Sequence, residues 1–169
     1  TELWRVVAAL PAAPNLVLHA EFFVRDGCRP VLCEIASRMP GHPIPPMIDR
    51  ALRIDLRREW LRAEASSHVD IAGLVTAADT AVPVANYGLP PCLGTLVDVP
   101  DAVPAECAGW THDLLALARP GDRWDAERYA ARKSGDFILT WTVSAPDHAT
   151  LATRVERAAE VLARRMRWA

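Results

Sequence analysis

Two carboxylates stand inside apolar runs of HAEFFVRDGCRPVLCEIASR, residues 19–38: Glu21 and Glu34. Alternation along a strand puts Leu18, Ala20, Phe22 and Val24 on one face and His19, Glu21, Phe23 and Arg25 on the other. In the second run Val31, Cys33 and Ile35 form the apolar face, and Leu32, Glu34 and Ala36 the opposite one. Asp26-Gly27 between the runs is a strong hairpin signal. If both apolar faces point to one core, the numbers of opposed residues must sum to an odd value. A loop of 26 and 27 gives 53; a loop of 26 to 29 gives 55. A three-residue loop is excluded, because a slip of one residue flips a strand. Under 55, Glu21 stands directly opposite Glu34, with Cβ atoms about 5 Å apart; under 53 the two are diagonal neighbours at roughly 7 Å.

Either register brings two anions together on one face. They repel each other unless something positive lies between them. Magnesium suits such a pair, since it takes one or two protein carboxylates and completes its shell with water and substrate phosphates. The plainer alternative is a wet sheet face on which the two acids pair with His19, Arg25 or Arg38, because structural ion pairs are common.

The elements that would carry these residues follow from local signals. TELWRVVAAL reads as a short helix with Thr1 as cap, ended by Pro11 and Pro14. Residues 16–24 and 31–36 read as strands, and PIPPMIDRAL as a helix that starts at prolines. Asp55 can cap a helix over LRREWLRAEA. From 66 to 82 the signal is weak and reads as loop. PVANYGL and GTLVDV read as short strands separated by the turn PPCLG. THDLLALA is a strand or a helical turn, and DFILTWTVSA a strand rich in β-branched and aromatic residues. The clearest helix is APDHATLATRVERAAEVLARRMRW, capped by Asp147. Leu151, Val155, Ala158, Leu162 and Met166 form its apolar stripe. Its basic end, Arg164, Arg165 and Arg167, suits the negative pole of the helix dipole.

The chain has 169 residues, half of them apolar, and a net charge of −2. That balance argues against a general nucleic-acid binder, and no apolar run is long enough for a membrane span. Eighteen of the 19 basic residues are arginine, leaving Lys133 as the one lysine for any chemistry that needs an amine. Cys28, Cys33, Cys92 and Cys107 form no C-x-x-C pair, which points to a reduced, cytoplasmic compartment. The chain starts without Met, as a fragment or processed product would. No phosphate-binding glycine loop, zinc-protease motif or nucleophile elbow is present. His19 beside Glu21 reads first as a structural histidine, and His42 as a loop residue. Cys107 and His112 could serve as nucleophile and base, on spacing alone. Trp60, Trp110, Trp124 and Trp141 read as packing residues.

HAEFF, a D-G turn and LCEIASR resemble the metal-binding hairpin of the ATP-grasp superfamily of carboxylate–amine ligases. There one acid precedes the turn and a second follows it in an E-x-N-x-R-like motif. YGLPPCLGTLVDVP and SGDFILTWTVSAPDHATLATRVERAAEVL resemble the same enzymes' C-terminal part. The resemblance implies an α+β fold, an antiparallel sheet with packed helices, with residues 1–169 forming a single lobe, the C-terminal half of an ATP-grasp domain. It implies that Glu21 and Glu34 are magnesium ligands bridging ATP phosphates, and that Arg38 contacts phosphate or the substrate carboxylate, where its planar fork suits an oxyanion. The implied reaction is phosphoryl transfer from ATP to a carboxylate, followed by attack of an amine on the acyl phosphate. The implied partners are small carboxylate and amine substrates and an N-terminal ATP-grasp lobe, with no nucleic acid, no membrane and room for a homo-oligomer. Ala36 replaces the expected Asn, MPGHP has one glycine where the pattern is glycine-rich, and the nucleotide-clamping lysines are missing. The 169 residues alone are therefore expected to be inactive. A non-catalytic, ATP-grasp-like binding or scaffold module is the rival reading.

Overall fold

A computed structural model describes residues 2–11, 17–66, 80–133 and 135–169. The expected Thr1 cap and most of the weak segment 66–82 lie outside these residues. The chain divides into two units, Thr1–Thr80 and Ala81–Ala169.

The first unit contains α1 (Glu2–Ala9), β1 (His19–Phe23), β2 (Val31–Ala36), α2 (Ile44–Leu52) and α3 (Leu56–Ser66). The two strands pair antiparallel, α1 lies against β2, and α2 against α3. Helix α2 carries prolines in its first turn, where a missing N–H costs nothing. It ends at Arg53, whose backbone turns left-handed with φ 57° while its N–H bonds the carbonyl of Asp49 at 2.7 Å. Asp55 caps α3 as its position predicts, its Oδ1 accepting from the Arg58 N–H at 3.0 Å.

The second unit contains β3 (Val84–Leu89), β4 (Gly94–Asp98), β5 (Thr111–Ala116), β6 (Arg123–Trp124), α4 (Ala126–Ala130), β7 (Leu139–Ser144), α5 (His148–Arg165) and β8 (Arg167–Trp168). Two three-stranded antiparallel sheets form, in the orders β3-β7-β5 and β6-β4-β8. THDLLALA is thus a strand, not a helical turn. The pairing of β5 with β7 is irregular between His112 and Leu115, where Asp113 takes φ 52°. Helix α5 packs on β3 and β7. Leu96, Trp124, Ile138, Leu139, Trp141, Val143, Ala158 and Leu162 form one core, flanked by Leu151, Val155 and Met166. The predicted stripe of α5 therefore faces the core. Gly88 is required in β3 because any Cβ there would overlap the Phe137 ring.

The C-terminus departs from the sequence reading. One helix was expected through Trp168; α5 stops at Arg165, and Arg167–Trp168 is a strand on β4. Pairing explains this. Ala169 and Thr95 exchange backbone hydrogen bonds of 3.0 and 2.8 Å, and Trp168 meets Trp124 edge-on at 5.7 Å. A continued helix would forfeit both. Asp147 caps α5 as predicted, with Oδ1 2.7 Å from the Thr150 nitrogen. Among the described residues no helix is long and apolar enough to cross a membrane. The architecture is α+β with antiparallel sheets, the class expected.

Candidate functional site

The hairpin places Glu21 directly opposite Glu34, within the run His19↔Ala36, Ala20↔Ile35, Glu21↔Glu34. These pairs sum to 55, one of the two registers that alternation allows. Nearer the turn the register changes: Phe22 faces Leu32 and Phe23 faces Val31, pairs that sum to 54. Strict alternation excludes that sum. Cys33 reconciles the two halves as the extra residue of a bulge on β2. The turn is closed by the Cys28 N–H on the Arg25 carbonyl at 3.0 Å, with Gly27 at φ 70°, a value glycine adopts without strain.

The bulge corrects the predicted faces. Val31 does not share a face with Cys33 and Ile35; it pairs with Phe23 on the carboxylate side. Leu32 turns the other way with Phe22, Ala20 and Ile35. Burial agrees: Ala20, Phe22, Leu32 and Ile35 are half-buried, whereas Phe23 and Val31 are 64 % and 61 % exposed. One face therefore carries two acids and, past the bulge, two exposed apolar side chains. Alternation places Phe23 on this face but not Val31, because Val31 and Leu32 are adjacent and equally apolar. Only the bulge decides which of them turns inward.

Each carboxylate has a nitrogen-bearing neighbour. His19 Nε2 lies 3.7 Å from Glu21 Oε1, and Arg38 lies 4.0 Å from Glu34 Oε1. The acids are 54 % and 57 % exposed, so these contacts are weak and screened. Arg38 also donates to the Met39 carbonyl at 3.3 Å. All three predicted site residues thus gather around one strand pair. Among the described residues no group of three or more His, Cys, Asp or Glu side chains converges as a metal cage. The donor set is two carboxylates on an open face, which fits an ion that keeps water or phosphate in most of its shell.

The chain after Arg38 borders an open recess of about 450 Å³, lined by Met39, Gly41, His42, Arg57, Trp60 and Leu61. Trp60 therefore differs from Trp124 and Trp141: it is 39 % exposed, while Trp141 is fully buried and Trp124 7 % exposed. Arg57 and Trp60 lie three apart on α3, a spacing that reads equally well as an exposed helix face.

Other candidates resolve into structure. Cys107 is buried, its thiol 3.5 Å from the Pro104 carbonyl, and His112 Nε2 lies 3.1 Å from Ser144 Oγ, so the two bond to different partners. The basic end of α5 is paired: Arg164 with Glu160 at 3.1 Å, Arg167 with Asp98 at 3.1 Å, and Arg165 with both Glu106 oxygens at 2.9 and 3.1 Å. The Glu106 carboxyl is held below its ordinary value by its own backbone N–H and then by Arg165.

No protein-family model matches the chain, and no curated protein matches its sequence. Its fold is similar to that of a solved structure. It superposes on the crystal structure of phosphoribosylglycinamide synthetase from Anaerococcus prevotii with a TM-score of 0.62 at 10 % identity. The match covers 92 % of this chain and 37 % of that one, so the chain spans little more than a third of that protein's length. At such low identity the likeness concerns the fold alone.

Proposed function

We propose that this chain is part of an ATP-dependent ligase that joins a carboxylate to an amine through an acyl phosphate. The observation that carries the reading is the direct cross-strand pairing of Glu21 with Glu34 on an exposed face. In this reading both acids hold magnesium, which when bound neutralises charge on the ATP phosphates. Arg38 meets a phosphate or the substrate carboxylate, its planar fork matching either group. A carboxylate oxygen then bonds the γ-phosphorus as ADP leaves. Next, the amine nitrogen bonds the acyl carbon, inorganic phosphate departs, and the amine gives up a proton. The nucleotide clamp comes from a lobe outside these residues, because Lys133 is the chain's one lysine. The placement of residues 1–169 as the C-terminal half of the ATP-grasp domain belongs to the same proposal.

Ala36, standing where the resemblance expects an Asn donor, favours a second reading, a non-catalytic module that retained the fold and lost the clamp. ADP release separates the two. Candidate acids and amines are supplied to the natural full-length protein, to its Glu21→Gln and Glu34→Gln variants, and to the 169-residue chain. The ligase reading expects turnover by the parent, a drop on the order of 100-fold or more in each variant, and none from the isolated chain. Unchanged turnover in both variants would remove the metal assignment. Absence of turnover in the parent with every acid and amine would favour the binding module.

A further inference from the structure

A second cavity lies within the C-terminal unit, about 250 Å³ in volume and lined by Asp122, Trp124, Arg128, Arg132, Asp136 and Phe137 among others. Its charges are arranged in two pairs. Arg128 and Arg132 stand four apart, Arg128 within α4 and Arg132 just past its end, and both line the cavity. Each guanidinium is pinned twice. Arg128 lies 4.3 Å over the Trp124 ring and donates to the Arg123 carbonyl at 2.8 Å. Arg132 lies 3.8 Å over the Tyr129 ring and donates to the Tyr129 carbonyl at 2.9 Å.

Stacking and a backbone anchor fix the plane of each fork and leave further N–H donors for a ligand. Among the described residues neither guanidinium forms a salt bridge, whereas Arg164 and Arg165 at the end of α5 and Arg167 in β8 all do. The acids are pre-set in the same manner. Asp122 Oδ2 accepts the Arg119 N–H at 2.9 Å and Asp136 Oδ2 accepts the Lys133 N–H at 2.8 Å. Each thus keeps one oxygen for another partner.

We infer that this cavity binds a small zwitterion of the free amino-acid type. Its carboxylate meets Arg128 and Arg132, and its ammonium meets Asp122 and Asp136. A simple anion would satisfy the arginines but would face two carboxylates, and a simple cation the reverse. The volume lies just below that of drug-sized pockets, which sets the ligand at amino-acid size. Phe137, 39 % exposed, offers an apolar surface for the side chain. The site stands apart from Glu21 and Glu34 in sequence and does not rest on the ligase reading.

The test is a titration of the whole 169-residue chain with each of the twenty standard amino acids, followed by ¹H–¹⁵N spectra. At least one is expected to shift the Trp124 indole signal and the amides of 128–136 saturably. Its methyl ester, its N-acetyl form and inorganic phosphate are each expected to bind at least about tenfold more weakly, since each leaves one charge pair unmet. Arg132→Gln and Asp136→Asn should each weaken binding by a similar factor. Both sites are exposed, and Asn still accepts from Lys133, so the fold is retained. A chain carrying Glu21→Gln and Glu34→Gln together is expected to bind as the parent does. The inference is overturned if no amino acid saturates, if inorganic phosphate binds as tightly, or if Arg132→Gln and Asp136→Asn bind like the parent.

Discussion

Strand β7 buries five of its six residues, while the β1–β2 hairpin leaves two acids and two large apolar side chains in the open. Both are antiparallel and both are rich in strand-forming residues. They differ in what their side chains are for. Leu139, Trp141 and Val143 are fully enclosed with α5 residues Ala158 and Leu162, and such burial stabilises by about 1.5–3 kcal/mol per large side chain. Glu21 and Glu34 bury little, and like charges directly opposite destabilise a strand pair. A two-stranded ribbon is also marginal by itself. Under the proposed function the hairpin keeps its acids at a cost in stability, as residues held for a ligand would.

The largest test of that contrast is a matched pair of charge insertions. Leu162→Asp buries a carboxylate among apolar neighbours and should cost about 4 kcal/mol or more, enough to unfold much of the population. Phe23→Asp, on the open side of the hairpin, should change stability by less than about 0.5 kcal/mol. Urea melts of both read the difference. Similar losses would show that Phe23 is buried in the working protein and that the comparison fails.

What could be read in the sequence follows the same division. Local signals placed the caps Asp55 and Asp147, the proline start of α2 and the stripe of α5, because each depends on residues within a few positions. Alternation put Glu21 and Glu34 on one face and allowed their direct pairing. It could not show the bulge, since local propensity is the same whether Val31 or Leu32 turns inward. Nor could it show β6 and β8. These two-residue strands owe their existence to β4, whose partners come from remote parts of the sequence. The paired arginines of the second cavity carry no motif in the sequence. Their anchoring on Trp124 and Tyr129 is a product of the turn around them.

Deleting Cys33 probes the hairpin more finely. With the extra residue gone, one uninterrupted register runs through the whole ladder and still sets Glu34 opposite Glu21. Stability should then change by no more than about 1 kcal/mol. A bulge re-aims side chains and raises local twist, so under the proposed function ADP release by the full-length protein should fall although both acids remain. Full activity in the deletion would show that the bulge is a packing accident of the β2 strand.

Replacing Glu21 by Gln should move stability by still less and in the opposite direction. Removing one of two opposed anions relieves a repulsion of about 0.2–1 kcal/mol. The gain should appear at low salt and shrink toward zero in concentrated salt, where exposed charges are screened within about 3 Å. A loss above about 1 kcal/mol would mean that the His19 contact holds the hairpin and that Glu21 is structural.

The smallest effect belongs to the buried side of the contrast and is read by pH. Asp147 starts α5, and its carboxyl lies below its ordinary value of 3.8. The main cause is the hydrogen bond from the Thr150 N–H at 2.7 Å, followed by that from the Thr150 hydroxyl at 2.9 Å. Because the folded value is depressed, the unfolded chain binds the proton more readily, and stability rises with pH across this window. The contribution is fully present above pH 3.8 and is lost as pH falls through the lower folded value. Glu106, also depressed, titrates from a higher ordinary value of 4.5, so both proteins compared should carry Glu106→Gln. Against that background, Asp147→Asn keeps an oxygen for the Thr150 N–H but cannot titrate. The parent should melt slightly higher at neutral pH, and the gap should close as acid is added below pH 3.8. A gap that stays constant down to about pH 2 would show that the cap acts through its hydrogen bonds alone, with no part played by its charge.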